Sequence, residues 1–375
     1  MIYFDNAATT RPNGECLKKA EKYLYNDYFN PSALYAEGYS VQLALREARK
    51  NIVGNIADSE RFDLLFTSCG TEADNTAIFG GAKRGNVVTT AGEHSAVFAC
   101  MNELKQRGTE VRLAALNADG SVNTDSLLNL VDEKTSLVSV IHVSNESGAV
   151  NDIARLAAAV KKKNKYTLFH SDGVQAYGKI PFRLTCDIDM YSVSAHKIGG
   201  IKGCGALIKR KNLIIKPYIF GGGQENGLRS GTENVFGIKV FEYAAEARYA
   251  HIADDFKKAE ALRALLKSGL DKSLFTEISG ENCSPYILTV GADGLRGETI
   301  LHEANDSGLI IGTGSACASN EKKRYSRTIL ACGVGERLAD GILRLSLCAD
   351  NTEKEVLTAA EILNRIVKNR KEIMA

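Results

Sequence analysis

Short runs of β-branched and apolar residues alternate along this chain with longer stretches in which apolar residues recur at helical spacing. The strand-like runs fall at 63–67, 86–89, 110–113, 136–141, 166–170 and 189–194, and helical periodicity fills 72–83, 95–107 and 152–164 between them. Such alternation predicts an α/β architecture with a mainly parallel sheet, because parallel neighbours require a crossover connection. Ligand groups are then expected at the carboxyl ends of the strands.

The rhythm changes near residue 235. A long helical pattern runs from there to about Leu270, with Val240, Ala244, Ala247, Ile252, Phe256, Leu262 and Leu266 roughly on one face. Strand-like segments at 274–279, 286–290 and 342–347 follow, mixed with helical ones near 298–306, 324–332 and 353–368, the pattern of a smaller α+β domain. We therefore expect a large domain over 15–245 and a small domain over 246–375 that also includes residues 1–14. The segment up to about residue 50, with a helix over 46–56, carries no pattern that ties it to either domain. No internal repeat or low-complexity linker is present.

Composition narrows the class. At ~150 residues per domain, 375 residues suit two domains. The 25% charged and 44% hydrophobic fractions exclude disordered and collagen-like chains. A formal net charge of +2 supplies no global field that would favour nucleic acid or an anionic membrane. The opening Met1-Ile2-Tyr3-Phe4-Asp5 lacks a basic leader region, and no apolar run approaches the ~18 residues of a membrane span, so the expected location is cytoplasmic. Nine cysteines without a C-x-x-C pair fit neither a disulfide framework nor a zinc ribbon. Most are expected to be buried and reduced, leaving one or two for chemistry.

Five stretches carry candidate chemistry. Thr67-Ser68-Cys69-Gly70-Thr71-Glu72 joins a predicted strand to a predicted helix, where free N–H groups and a hydroxyl bind phosphate; a plain helix cap has the same composition. Ser194-Ala195-His196-Lys197 ends another strand, and a lysine there is either a Schiff-base amine or a surface cation. His170-Ser171-Asp172-Gly173-Val174-Gln175 sets an acid at a strand end, where it could keep a ring nitrogen protonated, ligate a metal or cap a helix. Small residues on both sides of Cys317 make that thiol the best nucleophile of the nine. Arg344 breaks the strand pattern Leu343-Arg344-Leu345-Ser346-Leu347, either to bind a carboxylate or to face outward.

Taken in order, these stretches form part of a longer series. Asp5-Asn6-Ala7-Ala8-Thr9-Thr10, Asn30-Pro31-Ser32, Cys69-Gly70-Thr71-Glu72, Glu93-His94-Ser95-Ala96-Val97 and His142-Val143-Ser144-Asn145-Glu146 are its first half. Asp172-Gly173-Val174-Gln175, Ser194-Ala195-His196-Lys197, Gly221-Gly222-Gly223-Gln224-Glu225, Arg229-Ser230-Gly231-Thr232-Glu233-Asn234 and Gly314-Ser315-Ala316-Cys317 complete it. Over nearly its whole length the chain resembles the cysteine desulfurases, pyridoxal-phosphate enzymes of the class V aminotransferase group.

The resemblance implies a fold type I architecture, with a mainly parallel seven-stranded sheet in the large domain. It implies that Lys197 carries pyridoxal 5'-phosphate as a Schiff base, Asp172 pairs with the ring nitrogen, Gln175 binds the ring hydroxyl and His94 stacks on the ring. The phosphate would lie against Gly70, Thr71, Ser194 and His196, with Thr232 reaching in from the second subunit of a homodimer. Arg344 and Asn145 would hold the carboxylate of L-cysteine, Asn145 also facing the cofactor. Cys317 would take the substrate sulfur as a persulfide, leaving L-alanine. No metal is implied.

A sulfur-acceptor protein is implied as well, whether an iron–sulfur scaffold or a tRNA- or thiamine-thiolation protein. Lys322-Lys323-Arg324 would suit an acidic partner or a solvated face. Some positions depart from the family pattern: Cys69 stands where Gly or Ala is usual, Ser144 replaces Asn, Ser147 replaces an apolar residue, and Cys348 stands where Gly is common. Selenocysteine lyase or another class V aminotransferase-like reaction is the alternative, although a transaminase needs no nucleophilic thiol. A non-catalytic sulfur-assembly partner would have lost the lysine or the acid, and both are intact. A nucleotide-binding Rossmann protein is disfavoured by the lack of G-x-G-x-x-G after the first strands.

Overall fold

The computed structural model describes residues 1–314 and 325–374. Its strands are β1 (Ile2–Phe4), β2 (Phe62–Thr67), β3 (Asn86–Thr90), β4 (Glu110–Ala114), β5 (Thr135–Ser139), β6 (Leu168–Asp172), β7 (Met190–Ser194), β8 (Gly205–Arg210), β9 (Thr276–Glu277), β10 (Ile287–Gly291), β11 (Leu309–Thr313) and β12 (Ile342–Ser346). Seven form one sheet in the order β2-β8-β7-β6-β5-β3-β4, and five form a second in the order β1-β11-β12-β10-β9.

In the large sheet only β8 runs against its neighbours, pairing antiparallel with both β2 and β7. The central strands are buried on both faces, so successive residues feed two different cores. Leu64, Phe66, Val88, Val138, Phe169, Tyr191 and Ile208 enter one cluster, while Leu65, Val87, Leu137, Leu168, Met190 and Leu207 enter the other. This strict alternation within continuous apolar runs is what a parallel sheet covered on both sides requires. The helix Gly70–Gly81 packs on the second face, and Ala36–Gly54 and Val235–Ala250 contribute to the first.

The smaller sheet has its own core of Phe4, Leu262, Leu266, Leu288, Leu343, Leu345, Leu363 and Val367. Its first strand comes from the chain's beginning: Ile2 pairs with Leu309 and Phe4 with Ile311, in parallel. The next residues reach the large sheet. The backbone N–H of Asn6 donates to Ser346 O, and Thr10 donates through both N–H and hydroxyl to His196 O just beyond β7. Residues 5–10 thus strap the two sheets together beside the carboxyl ends of the large-sheet strands.

Three local expectations change. The long helical pattern is two helices, Val235–Ala250 and Ile252–Gly269, broken at His251, whose ψ of 13° leaves the helical range. The helix expected over 46–56 spans Ala36–Gly54. Four of the described cysteines, Cys16, Cys100, Cys204 and Cys332, are buried, whereas Cys186 is exposed and Cys69, Cys283 and Cys348 are partly so. None of the described cysteines is paired in a disulfide.

The helix Glu353–Met374 offers a test of the small core. Leu363 is fully buried on it, while Leu357 is 45% exposed. Leu363→Ala should cost about 2–5 kcal/mol in urea unfolding, and Leu357→Ala should stay within about 0.5 kcal/mol of the parent.

Candidate active site

The carboxyl ends of five large-sheet strands open onto one cavity of about 340 Å³. From β2 the chain turns through Ser68 and Cys69 into the helix Gly70–Gly81, so Gly70 and Thr71 present its amino end to the cavity. The turn after β3 brings His94, and the loop after β5 brings Asn145. Asp172 closes β6, with Gln175 in the turn beyond, and Ser194, His196 and Lys197 close β7. Arg344 enters from β12 of the small sheet.

Lys197 Nζ donates to Ala7 O and Ala8 O, each at 2.7 Å, so the strap holds the amine. Asp172 is 3% exposed, and its Oδ1 accepts the Val174 N–H at 2.9 Å. Burial raises its pKa, while His94 and Lys197 pull it down by favouring the charged form. His94 Nδ1 accepts the Ala96 N–H at 3.2 Å and caps the helix Ser95–Gln106, leaving Nε2 as the protonated nitrogen of the neutral ring. Its pKa is lowered, first by burial. The turn after Asp172 needs a glycine: a Cβ on Gly173 would lie 1.9 Å from the Tyr191 ring.

The Gln175 carboxamide is fixed at both ends, Nε2 donating to Ala7 O and Oε1 accepting from Lys179 Nζ, each at 2.8 Å. Lys179 is buried, and this pushes its pKa down to about 7, with Lys197 and Arg248 acting in the same direction. His196 is pushed down to about 4, chiefly by burial, and its Nδ1 lies 3.1 Å from Thr9 Oγ1.

Arg344 is 4% exposed and does not face outward. Its guanidinium donates to Asn145 O at 3.1 Å and pairs with Asp5 Oδ1 at 2.8 Å, while Nε has no partner among the described residues. Gly312 on the adjacent β11 makes this possible, since a Cβ there would sit 2.9 Å from both Nη2 and Asp5 Oδ1.

One expected site residue is not brought into this cavity. Thr232 is exposed and does not line it. Cys317, like Lys322, Lys323 and Arg324, lies outside the described residues. Conversely, the cavity wall includes Ala7, Ala8 and Asp74, to which the sequence reading gave no role. Asp74 sits in a helix three residues beyond Thr71, and only the pairing of that helix face with β6 and β7 reveals it.

The cavity joins phosphate-binding and amine chemistry. The Gly70 helix has no side-chain cap at Cys69, so its first N–H groups are available to an anion. Ser194 Oγ is buried with no hydrogen-bond partner among the described residues, and Ser194 lines the same wall. A buried acid and an amine at adjacent strand ends complete a donor set that fits pyridoxal phosphate: anion contacts at one end, a charge for the ring nitrogen at the other.

The chain matches the family described as Aminotransferase class-V over residues 2–358. It is 35% identical to a cysteine desulfurase of Trichormus azollae, over 98% of this chain and 93% of that one. To the cysteine desulfurase IscS of Clostridium botulinum strain Hall it is 34% identical, over 100% of this chain and 96% of the relative. A solved NifS-like protein superposes with a TM-score of 0.91 at 35% identity, covering 98% and 99% of the two chains. The chain belongs to the class-V aminotransferase family. Its cofactor is pyridoxal phosphate, on which that family's cysteine desulfurases depend.

Lys179 gives this site a measurable pH signature. Its folded pKa of about 7 lies below that of an unfolded lysine at about 10.4, so between these values the unfolded chain binds more protons and stability rises with pH. Lys179→Met should remove that slope, so the parent's thermal midpoint minus the variant's should increase as pH is raised from 7 to 9. A gap independent of pH would contradict the depressed pKa.

Proposed function

We propose that this protein is a cysteine desulfurase, converting L-cysteine to L-alanine while sulfur passes to an enzyme thiol. The observation that carries the reading is the convergence of Lys197, Asp172 and Arg344 on one cavity from two different sheets. An amine, a buried acid and a carboxylate-binding guanidinium are what an amino-acid substrate on a pyridoxal cofactor requires.

When bound, the cofactor supplies an electron sink for charge developing at the substrate's α-carbon. Asp172 holds the negative charge that keeps such a ring protonated, and Gln175, clamped by Lys179, presents a carboxamide of fixed orientation. The Gly70 helix terminus, Thr71, Ser194 and His196 bind the phosphate. Arg344 and Asn145 orient the substrate carboxylate, with Arg344 exchanging its Asp5 partner for the ligand. Lys197 is the base and acid that moves protons at the α-carbon. Cys317, as thiolate, attacks the substrate sulfur: an S–S bond forms, the C–S bond breaks, and its electron pair stays with carbon, which a proton then completes as alanine. The persulfide on Cys317 goes on to a sulfur-acceptor protein.

Lys197→Ala should abolish alanine and sulfide production from L-cysteine. Cys317→Ala should lose most turnover and all protein-bound persulfide; full retained activity would rule out this thiol as the acceptor. Arg344→Met should lower kcat/KM by on the order of 10–100-fold, as expected for losing a charge-assisted hydrogen bond.

We also propose a homodimer. Leu34, Ile214 and Phe220 are at least 81% exposed, and Tyr28, Tyr35 and Tyr39 are more than half exposed. A cavity of about 270 Å³ lined by Pro31, Arg46, Gly223 and Glu233 joins the two segments that bear Leu34, Tyr35 and Phe220, and Thr232 lies on the second of them. Such exposed apolar groups on neighbouring segments suit a partner surface, with Thr232 offered to the other subunit's phosphate. Phe220→Asp should shift the protein toward monomer in light scattering and weaken cofactor retention. Loss of neither would remove this support.

A further inference from the structure

Asp74 lies beside the cofactor's expected acid, yet the proposed mechanism leaves it without a task. It is 1% exposed on the helix Gly70–Gly81, and one of its carboxylate oxygens, one of Asp172 and a ring nitrogen of His94 all fall within 4.8 Å of one another. Its Oδ1 is buried with no hydrogen-bond partner among the described residues. Two carboxylates so close and so dry cannot both ionise unless a cation sits between them. Among the described residues no lysine or arginine forms an ion pair with Asp74. The nearest basic group is His170, whose Nε2 lies 3.6 Å from Oδ1 and whose complete burial pushes its pKa down to about 3, so it is neutral.

The surroundings also decide which acid takes the proton. Asp172 faces Lys197 and His94 and accepts a backbone N–H, all of which favour its charged form. Asp74 faces Asp172, Glu93 and Cys69, which oppose a second charge, and Asp74 in turn helps raise the pKa of the Cys100 thiol. Among the groups that weigh most on Asp74, only Ser192, through a hydrogen bond, favours the charged form. Burial and these neighbours raise its pKa well above the carboxylate range. Beyond Ser192 the polar groups form a closed series: Ser192 Oγ lies 3.0 Å from His170 Nε2, and Ser139 Oγ lies 2.9 Å from His170 Nδ1. A neutral imidazole has one donor and one acceptor nitrogen. A proton on Asp74 therefore lets every hydroxyl in the series donate in one direction, from Asp74 to Ser192, to His170 Nε2, and from His170 Nδ1 to Ser139.

We propose that Asp74 is held as a neutral carboxylic acid behind the cavity and acts as a positioning residue that leaves Asp172 the single negative charge facing the cofactor ring. The protonation of Asp74 stands apart from the reaction. Its effect on the ring rests on the reading given under Proposed function.

The test uses the full-length, cofactor-loaded protein and two independent readouts. Infrared spectra at pH 8, with aspartate labelled by carbon-13 to separate it from the buried Glu93, should show the carbonyl stretch of a protonated aspartic acid. Asp74→Asn should remove that band and Asp172→Asn should leave it. No labelled band in the parent protein, or a band that survives Asp74→Asn, overturns the proposal even if one variant fails to fold. The second readout is the pH midpoint of the cofactor's visible absorbance. A neutral Asp74 predicts that Asp74→Asn, which keeps shape and charge, leaves the midpoint within a few tenths of a unit. A fall of about a unit or more would mean that Asp74 had carried a negative charge beside the ring. An infrared band that behaves as expected with a midpoint that does not would keep the protonated acid and overturn its role toward Asp172.

Discussion

On the proposed reading a single carboxylate, Asp172, must stay charged while almost wholly removed from water, and the cavity is arranged around that demand. An isolated buried ion is costly, so a buried charge persists only with nearby opposite charge and hydrogen bonds to its ionised form. Burial raises the Asp172 pKa overall, and Lys197, His94 and the Val174 N–H that binds one oxygen oppose that rise. Each helper is fixed in turn. The Ala7 and Ala8 carbonyls hold the lysine, and His94 is pinned as the cap of its own helix. The close approach of Gly173 to the Tyr191 ring sets the turn that carries the acid, and Tyr191 is anchored through its hydroxyl, 2.8 Å from His142 Nδ1.

The same demand explains why the chain's first ten residues belong to the small sheet yet touch the large one. A parallel sheet delivers side chains at its strand ends but leaves that end open to solvent. Residues 5–10 close it, tying Ser346 on β12 to His196 after β7. They supply carbonyls to two amide or amine groups of the cavity, Gln175 and Lys197, and a carboxylate to Arg344. Backbone carbonyls in such a place stabilise a cation without adding a competing charge next to Asp172.

Much of the fold could be read from residue pattern because the six runs from 63 to 194 combine β-branched content with helical spacers, and a doubly covered sheet imposes that pattern directly. What escaped was β8, which follows a glycine turn and pairs antiparallel, and the parallel pair β1 and β11, whose partners are some 300 residues apart (Ile2↔Leu309). No local signal carries a pairing at that distance. The helix break at His251 escaped because apolar periodicity continues across it while the backbone does not. Among the site residues, Lys197, Asp172 and the Gly70 turn were legible since each ends a strand. Asp74 was not, because one acid inside an amphipathic helix looks like any solvated residue until its face is seen to be the buried one.

On the proposed reading, Arg344 lets the site be both stable when free of substrate and selective when it binds. A guanidinium 4% exposed on a central strand would be a liability without a partner, and Asp5 supplies one at 2.8 Å. Asp5 is itself partly exposed, with 21% of its side chain accessible, so it can regain water when displaced. An incoming carboxylate therefore replaces one ion pair with another of similar geometry, and the net gain is modest for the pair alone. Ligands without a carboxylate would leave Arg344 with Asp5 and gain nothing there, whereas a neutral group forced against it would separate the pair and strand a buried cation. If Arg344 holds the substrate carboxylate as proposed, selectivity for an amino acid follows from the exchange itself, and the absence of a side chain at Gly312 keeps room for it.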